Sequence, residues 1–135
     1  MSGCMELIPI GEVTEGYPDR KSAPRQGVFG DRISRIKIYD EFADGLEGLE
    51  RFDRIIVLYW FHLSKRDVLK VEPSWADGVR GVFSIRSPER PNPIGFSVVE
   101  LLEIENNVLV VRYLDAVTGT PVIDIKPFFD EIDCY

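Results

Sequence analysis

The chain has 135 residues, 23 Asp+Glu against 16 Lys+Arg for a formal net charge of −7, and 44% hydrophobic with 11% aromatic side chains. That length fits one compact domain spanning residues 1–135, and the composition excludes a disordered or low-complexity chain. The acid excess argues against a protein that grips nucleic acid over its whole surface.

Along the chain the dominant hydrophobic period is two, the signature of strands. Residues 7–13 open the series, and Pro9 confines that part to an edge or a bulge. Residues 19–37 form a basic island with six Lys/Arg against two Asp. Within it, Pro24-Arg25-Gln26-Gly27 shows no strand pattern and reads as an exposed loop. Residues 33–39 alternate, with Ile36 and Ile38 on one face and Arg35 and Lys37 on the other. Residues 40–52 hold the one helical spacing, Phe42, Leu46, Leu49 and Phe52, weakened by Gly45 and Gly48. This region is acidic, with six Asp/Glu against one Arg over residues 40–53. Residues 54–63 are apolar on both faces and predict a central, buried strand.

A long connection over residues 64–79 follows; such connections in compact domains are often functional. Residues 81–85 predict a short strand. Residues 97–105 and 108–114 flank Asn106-Asn107, a two-residue turn suited to positive φ and therefore a hairpin. Residues 121–126 close the series. About seven mainly antiparallel strands with at most one short helix make an all-β chain, a small barrel or sandwich.

Two segments carry the least generic chemistry. Ser87-Pro88-Glu89-Arg90-Pro91-Asn92-Pro93-Ile94-Gly95 places three prolines in six residues, and each fixes φ and biases its predecessor away from helix. A loop so restricted in the unfolded chain holds side chains still at small folding cost. Arg86, Arg90 and Asn92 are the side chains held, beside a second basic island; the stretch reads either as a rigid corner between two strands or, with those side chains on it, as a binding site. In the second segment Thr118-Gly119-Thr120-Pro121 is turn chemistry between strands. Asp115 stands before that turn as a ligand acceptor or a turn cap. Asp124 and Lys126 share one strand face, where they can pair with each other.

His62, the single histidine, ends the most apolar strand and reads more naturally as a satisfied core or rim residue than as a catalyst. With no cysteine near it, neither a metal site nor a Cys–His dyad is expected. Cys4 and Cys134 are too few for a disulfide scaffold, and two reduced thiols are expected. No run approaches the roughly 20 apolar residues of a membrane helix. The start Met1-Ser2-Gly3-Cys4-Met5-Glu6 lacks a charged-then-apolar leader. A cytoplasmic protein without membrane contact is the expectation. The glycine patterns of a dinucleotide fold or a P-loop and the H-E-x-x-H zinc pattern are all missing.

Taken together, Pro24-Arg25-Gln26, Gly48-Leu49-Glu50, Phe61-His62, the run from Gly81 through Arg86 and Arg90-Pro91-Asn92-Pro93-Ile94-Gly95, and Asp115 followed by Gly119-Thr120-Pro121-Val122-Ile123-Asp124-Ile125-Lys126-Pro127 resemble the TsaA-like, or TrmO, family of S-adenosylmethionine-dependent tRNA methyltransferases. The resemblance covers residues 8–129. It implies a small TsaA-like β-barrel that binds S-adenosyl-L-methionine without a Rossmann fold and works as a homodimer. It also implies methylation of N6-threonylcarbamoyladenosine next to the tRNA anticodon.

Carried over by motif, Pro24, Arg25, Gln26, His62, Leu63, Arg86, Phe96, Asp115, Ala116, Val117 and Thr118 contact the cofactor, Leu63 through its backbone. Arg90, Asn92, Asp124 and Lys126 shape the neighbouring catalytic wall. Asp115 or Asp124 assists proton removal, while an arginine fork at Arg86 or Arg90 holds a substrate carboxylate or phosphate. The chain stops short of the additional C-terminal domain of longer bacterial members, so weak or partner-assisted tRNA binding is expected. The competing readings are a methyltransferase of the same fold acting on a small molecule, and a non-catalytic barrel that binds RNA or protein.

Overall fold

The structure, a computed structural model, describes residues 3–134. Its strands are β1 (Gly11–Glu15), β2 (Ile33–Ile38), β3 (Arg54–Trp60), β4 (Lys70–Val71), β5 (Arg80–Gly81), β6 (Ile94–Glu105), β7 (Val108–Arg112) and β8 (Pro121–Pro127). Six of them close a barrel in the order β1-β2-β7-β6-β3-β8, with β8 returning to β1 and every pairing antiparallel. Strands β4 and β5 form a separate two-stranded ribbon. The architecture is therefore a barrel, with one strand fewer in its wall than the sequence pattern predicts.

Alternation builds the interior. Ile55, Val57 and Tyr59 of β3, Ile36 and Ile38 of β2, Leu109 and Val111 of β7, Val99 of β6, Val13 of β1 and Val122 of β8 point inward and are buried. Burying each such side chain contributes about 1.5–3 kcal/mol, so the core is one filled barrel rather than two stacked faces. Strand β3 departs from the expectation of burial on both sides. Ile56, Leu58 and Trp60 face outward and are half-buried, because a closed barrel has one interior. The strand also ends at Trp60; Phe61 N–H donates to Pro93 O and Ser64 N–H to Phe61 O, turning the chain away.

Three other expectations are corrected. Residues 40–52 form two 3₁₀ turns, Asp40–Leu46 and Leu49–Arg51, instead of one α-helix. The glycines at 45 and 48 remove the propensity that a longer helix needs, while Phe42, Leu46 and Leu49 still pack on the core. Residues 81–85 become one end of β5 and the 3₁₀ turn Val82–Ser84, anchored by Val82 N–H donating to Leu69 O. Strand β1 starts at Gly11, after Pro9. The hairpin between β6 and β7 does form at Asn106-Asn107, with Asn106 at φ 56°. A short helix, α1 (Asp130–Asp133), ends the described chain, and Cys4 and Cys134 are exposed free thiols.

Candidate functional site at one end of the barrel

Because neighbouring strands are antiparallel, the C-terminal ends of β1, β3 and β7 share one barrel end with the starts of β6 and β8. The peptide segments joined there line one cavity of about 1380 Å³. Tyr59, Phe61 and His62 come from the end of β3, Ile94 and Phe96 from the start of β6, Asp115 and Ala116 from beyond β7, and Thr120 from before β8. Pro24, Arg25, Gln26 and Phe29 enter from the β1–β2 connection, and Trp75 and Phe83 from the connection carrying the β4–β5 ribbon. The cavity walls contain Arg20, Arg25, Arg86 and Arg90 with Asp115 as the lining carboxylate. An acidic chain thus presents a basic mouth.

The walls are braced by specific bonds. Arg20 donates from Nη2 to Glu89 Oε1 at 2.7 Å and from Nη1 to Leu63 O at 3.2 Å, while Lys65 N–H donates to Glu89 Oε2. Glu89 is partly desolvated, which alone would raise its pKa. The Arg20 and Lys65 N–H bonds, with the charges of both residues, outweigh that and hold it below the usual range. Arg66 donates to Pro91 O at 2.8 Å and Asn92 Oδ1 at 3.2 Å, fixing the proline loop from its other side. Gly27 lies so close to Tyr113 that an added Cβ would sit 1.7 Å from the Tyr113 carbonyl oxygen. That close approach locks the Pro24–Gln26 segment against the one bearing Asp115.

Arg86 rests its guanidinium 5.5 Å from the Phe96 ring centroid and donates to Gln26 Oε1 at 3.2 Å. Arg25 lies between Phe29 and Trp75, at 5.1 and 5.6 Å from their centroids. Planar cations on aromatic faces beside apolar walls suit a ligand with a flat ring and anionic groups.

At the cavity floor Asp115 Oδ1 accepts a bond from Tyr59 Oη and one from Ser97 Oγ at 3.1 Å, and the two hydroxyls are 2.9 Å apart. Burial raises the Asp115 pKa, against the lowering effect of these two donors and of the Arg86 charge. Burial and the adjacent carboxylate push the Tyr59 hydroxyl above its ordinary range, so it stays a donor. Sequence reasoning missed Tyr59 and Ser97. The signal was there: a tyrosine on the inward face of an aliphatic strand needs a partner for its hydroxyl.

Ten of the eleven residues singled out for cofactor contact, Pro24, Arg25, Gln26, His62, Leu63, Arg86, Phe96, Asp115, Ala116 and Val117, line this cavity. Thr118 does not. Its Oγ1 accepts Gly16 N–H at 3.0 Å, and Thr120 occupies the lining position instead. Arg90 and Asn92 also line the cavity, but Arg90 Nη1 is committed to Ile85 O and Ser87 O, each at 3.0 Å, which makes it a brace for the loop. Asp124 and Lys126 lie outside it. Their strand register places them opposite Leu58 and Ile56, their side chains pair with each other at 3.1 Å, and Asp124 borders a separate, smaller depression. Among the described residues no group of three or more His, Cys, Asp or Glu could hold a metal, and no helix is long and apolar enough to cross a membrane.

A closed antiparallel barrel with a basic, aromatic-rimmed cavity at one end has the charge and shape that suit a charged, ring-bearing ligand. The chain belongs to the tRNA-methyltransferase O N-terminal domain family, whose model matches residues 12–134. It is 55% identical over 130 residues to an S-adenosyl-L-methionine-binding protein of Archaeoglobus fulgidus, covering 96% of this chain and 94% of that one. It is 34% identical over 140 residues to the tRNA (adenine(37)-N6)-methyltransferase of Mus musculus, covering 98% of this chain and 32% of the mouse protein. The crystal structure of TrmO from Pseudomonas aeruginosa superposes with a TM-score of 0.81 at 29% identity, covering 98% of this chain and 60% of that one. The chain thus spans 60% of the length of that solved protein.

Proposed function

We propose that the barrel is an S-adenosyl-L-methionine-dependent tRNA methyltransferase and that its acceptor is the N6 nitrogen of threonylcarbamoyladenosine next to the anticodon. Family membership and the archaeal and mouse relatives support the coarser activity, cofactor binding and tRNA methylation. The observation that carries the reading of the site is the cavity itself. Its 1380 Å³ exceeds the roughly 300–1,000 Å³ of ordinary ligand pockets, which leaves room for a cofactor and an acceptor nucleoside together.

The residues fit the cofactor's chemistry. Aromatic faces at Phe61 and Phe96 suit an adenine ring, and the polar groups of Gln26, His62, Arg86 and the 115–117 segment suit its ribose and amino-acid ends. When bound, the cofactor supplies a methyl group on a sulfonium centre. The protein's share is to hold donor and acceptor in register, an effect worth up to about 7–11 kcal/mol in well-oriented systems. Arg86, which lines the cavity, binds the acceptor's carboxylate or phosphate. Asp115, with its raised pKa, takes the proton that the acceptor nitrogen loses. Asp124 and Lys126 have no part in this within one chain.

Homodimerisation belongs to the same proposal. Phe29, Phe83 and Phe96 are exposed apolar side chains lining the cavity, the surface a second copy would cover. Sedimentation analysis tests it, and a monomer at tens of micromolar rejects it.

The decisive experiment is a methylation assay on tRNA carrying the modified adenosine, beside unmodified tRNA and free nucleoside. Transfer to the modified tRNA, reduced about 100-fold or more in Asp115→Ala and Arg86→Ala, is the expected result. Wild-type rates in both variants sink the assignment. Equal transfer to free nucleoside moves the substrate to a small molecule.

A further inference from the structure

Asp115 is not held by its own turn alone. Gly95 of β6 stands directly opposite Tyr59 of β3 in the barrel register. A Cβ at position 95 would sit 2.3 Å from Tyr59 Cε2, so the tyrosine ring occupies the space a side chain would need. Laid across Gly95, the ring brings Oη to both Ser97 Oγ and Asp115 Oδ1. Tyr59 is 1% exposed and Ser97 6%, so neither hydroxyl has water as an alternative partner. Both engage the same carboxylate oxygen, Oδ1, and the carboxylate borders the cavity.

We propose that Gly95, Tyr59 and Ser97 are positioning residues for Asp115: by occupying Oδ1 they present Oδ2 to an N–H or O–H donor in the cavity and fix the pH at which that oxygen is free to accept. This rests on the reading of the cavity as the methyl-transfer site. It explains why the loop Arg90-Pro91-Asn92-Pro93-Ile94-Gly95 must end in glycine: the requirement is set by a tyrosine on another strand. It also gives a strand interior a catalytic-site role, with the chemistry of the carboxylate tuned from behind.

The groups that act on Asp115 are Tyr59 on β3 and Arg86 on the loop before β6, and around the same cavity stand Arg20, Arg25, His62 and Arg90. Arginine stays charged throughout the accessible range.

The test is a carbon-detected NMR titration of the Asp115 carboxyl in the free protein, paired with calorimetric S-adenosyl-L-methionine affinity over the same pH series. Removing a donor that favours the charged carboxylate raises its midpoint. Tyr59→Phe and Gly95→Ala should therefore both move the Asp115 titration to higher pH and weaken cofactor binding at neutral pH about 10-fold or more, the cost of one lost bond to a charged group. Ser97→Ala should shift it in the same direction, and Ser97→Thr, which keeps the hydroxyl, should restore the native midpoint. An unchanged midpoint in Tyr59→Phe and Ser97→Ala overturns the proposal; if Tyr59→Phe does not fold, Ser97→Ala decides alone. Should the wild-type protein bind no cofactor, the reading of the cavity fails, and the free-protein titration still decides the positioning role.

Discussion

Asp115 should lower the stability of the fold at neutral pH. Its pKa is raised by burial, so the folded state holds a proton more tightly than the unfolded state does. The favourable situation exists below the ordinary aspartate range and is lost as pH climbs through the raised value. Asp115→Asn should therefore melt a few degrees above wild type at pH 7 and show no advantage in acid, while losing methyl transfer. Differential scanning calorimetry over pH checks the first part, and such a trade is common at functional sites. Glu89 has the opposite sign. Its pKa is held down by Arg20 and Lys65, so its contribution is present above the ordinary carboxylate range and disappears as pH falls through the depressed value. Glu89→Gln should cost about 1 kcal/mol at neutral pH, read from denaturant midpoints, with the difference vanishing at low pH.

At the scale of elements, β3 carries the most consequence. Its inward residues Ile55 and Val57 are fully buried, and Tyr59 at its end reaches the site. Ile55→Ala should destabilise the fold by about 2–5 kcal/mol, measured by urea unfolding with an unchanged m-value. Cofactor affinity should stay as it was, because the deleted atoms lie in the barrel centre. A loss of cofactor binding without a loss of stability would show that the strand's register has shifted. The strand periods were readable because alternation directly reports one buried face. The 40–52 segment was misread because helical spacing of Phe42, Leu46 and Leu49 is satisfied equally well by two short 3₁₀ turns laid on the barrel. Local spacing cannot tell these apart when glycines interrupt the run.

For the whole molecule, charge placement outweighs net charge. The acid of residues 40–53 lies largely on exposed turns, whereas four arginines line the cavity. RNA affinity should fall steeply with salt, by roughly 0.7–0.9 log units per log unit of salt for each phosphate contacted. Charge reversal at the cavity, Arg25→Glu, should flatten that slope in a filter-binding titration; reversal at Glu47 should leave it unchanged. The amino-acid sequence by itself determined the all-β class, the hairpin at Asn106 and the rigid proline loop, because periodicity, turn chemistry and fixed φ are local properties; most of the residues around the cavity were implied by the resemblance of the motifs to a family. Only the tertiary structure decided that six strands close, which carboxylate faces the cavity and which pairs with Lys126, and that Tyr59, Gly95, Ser97 and Asp115 meet. Those outcomes depend on register between distant segments, 56 residues apart for Tyr59 and Asp115 and 111 for Gly11 and Val122, where β1 meets β8, and no local pattern encodes which oxygen a hydroxyl from another strand will reach.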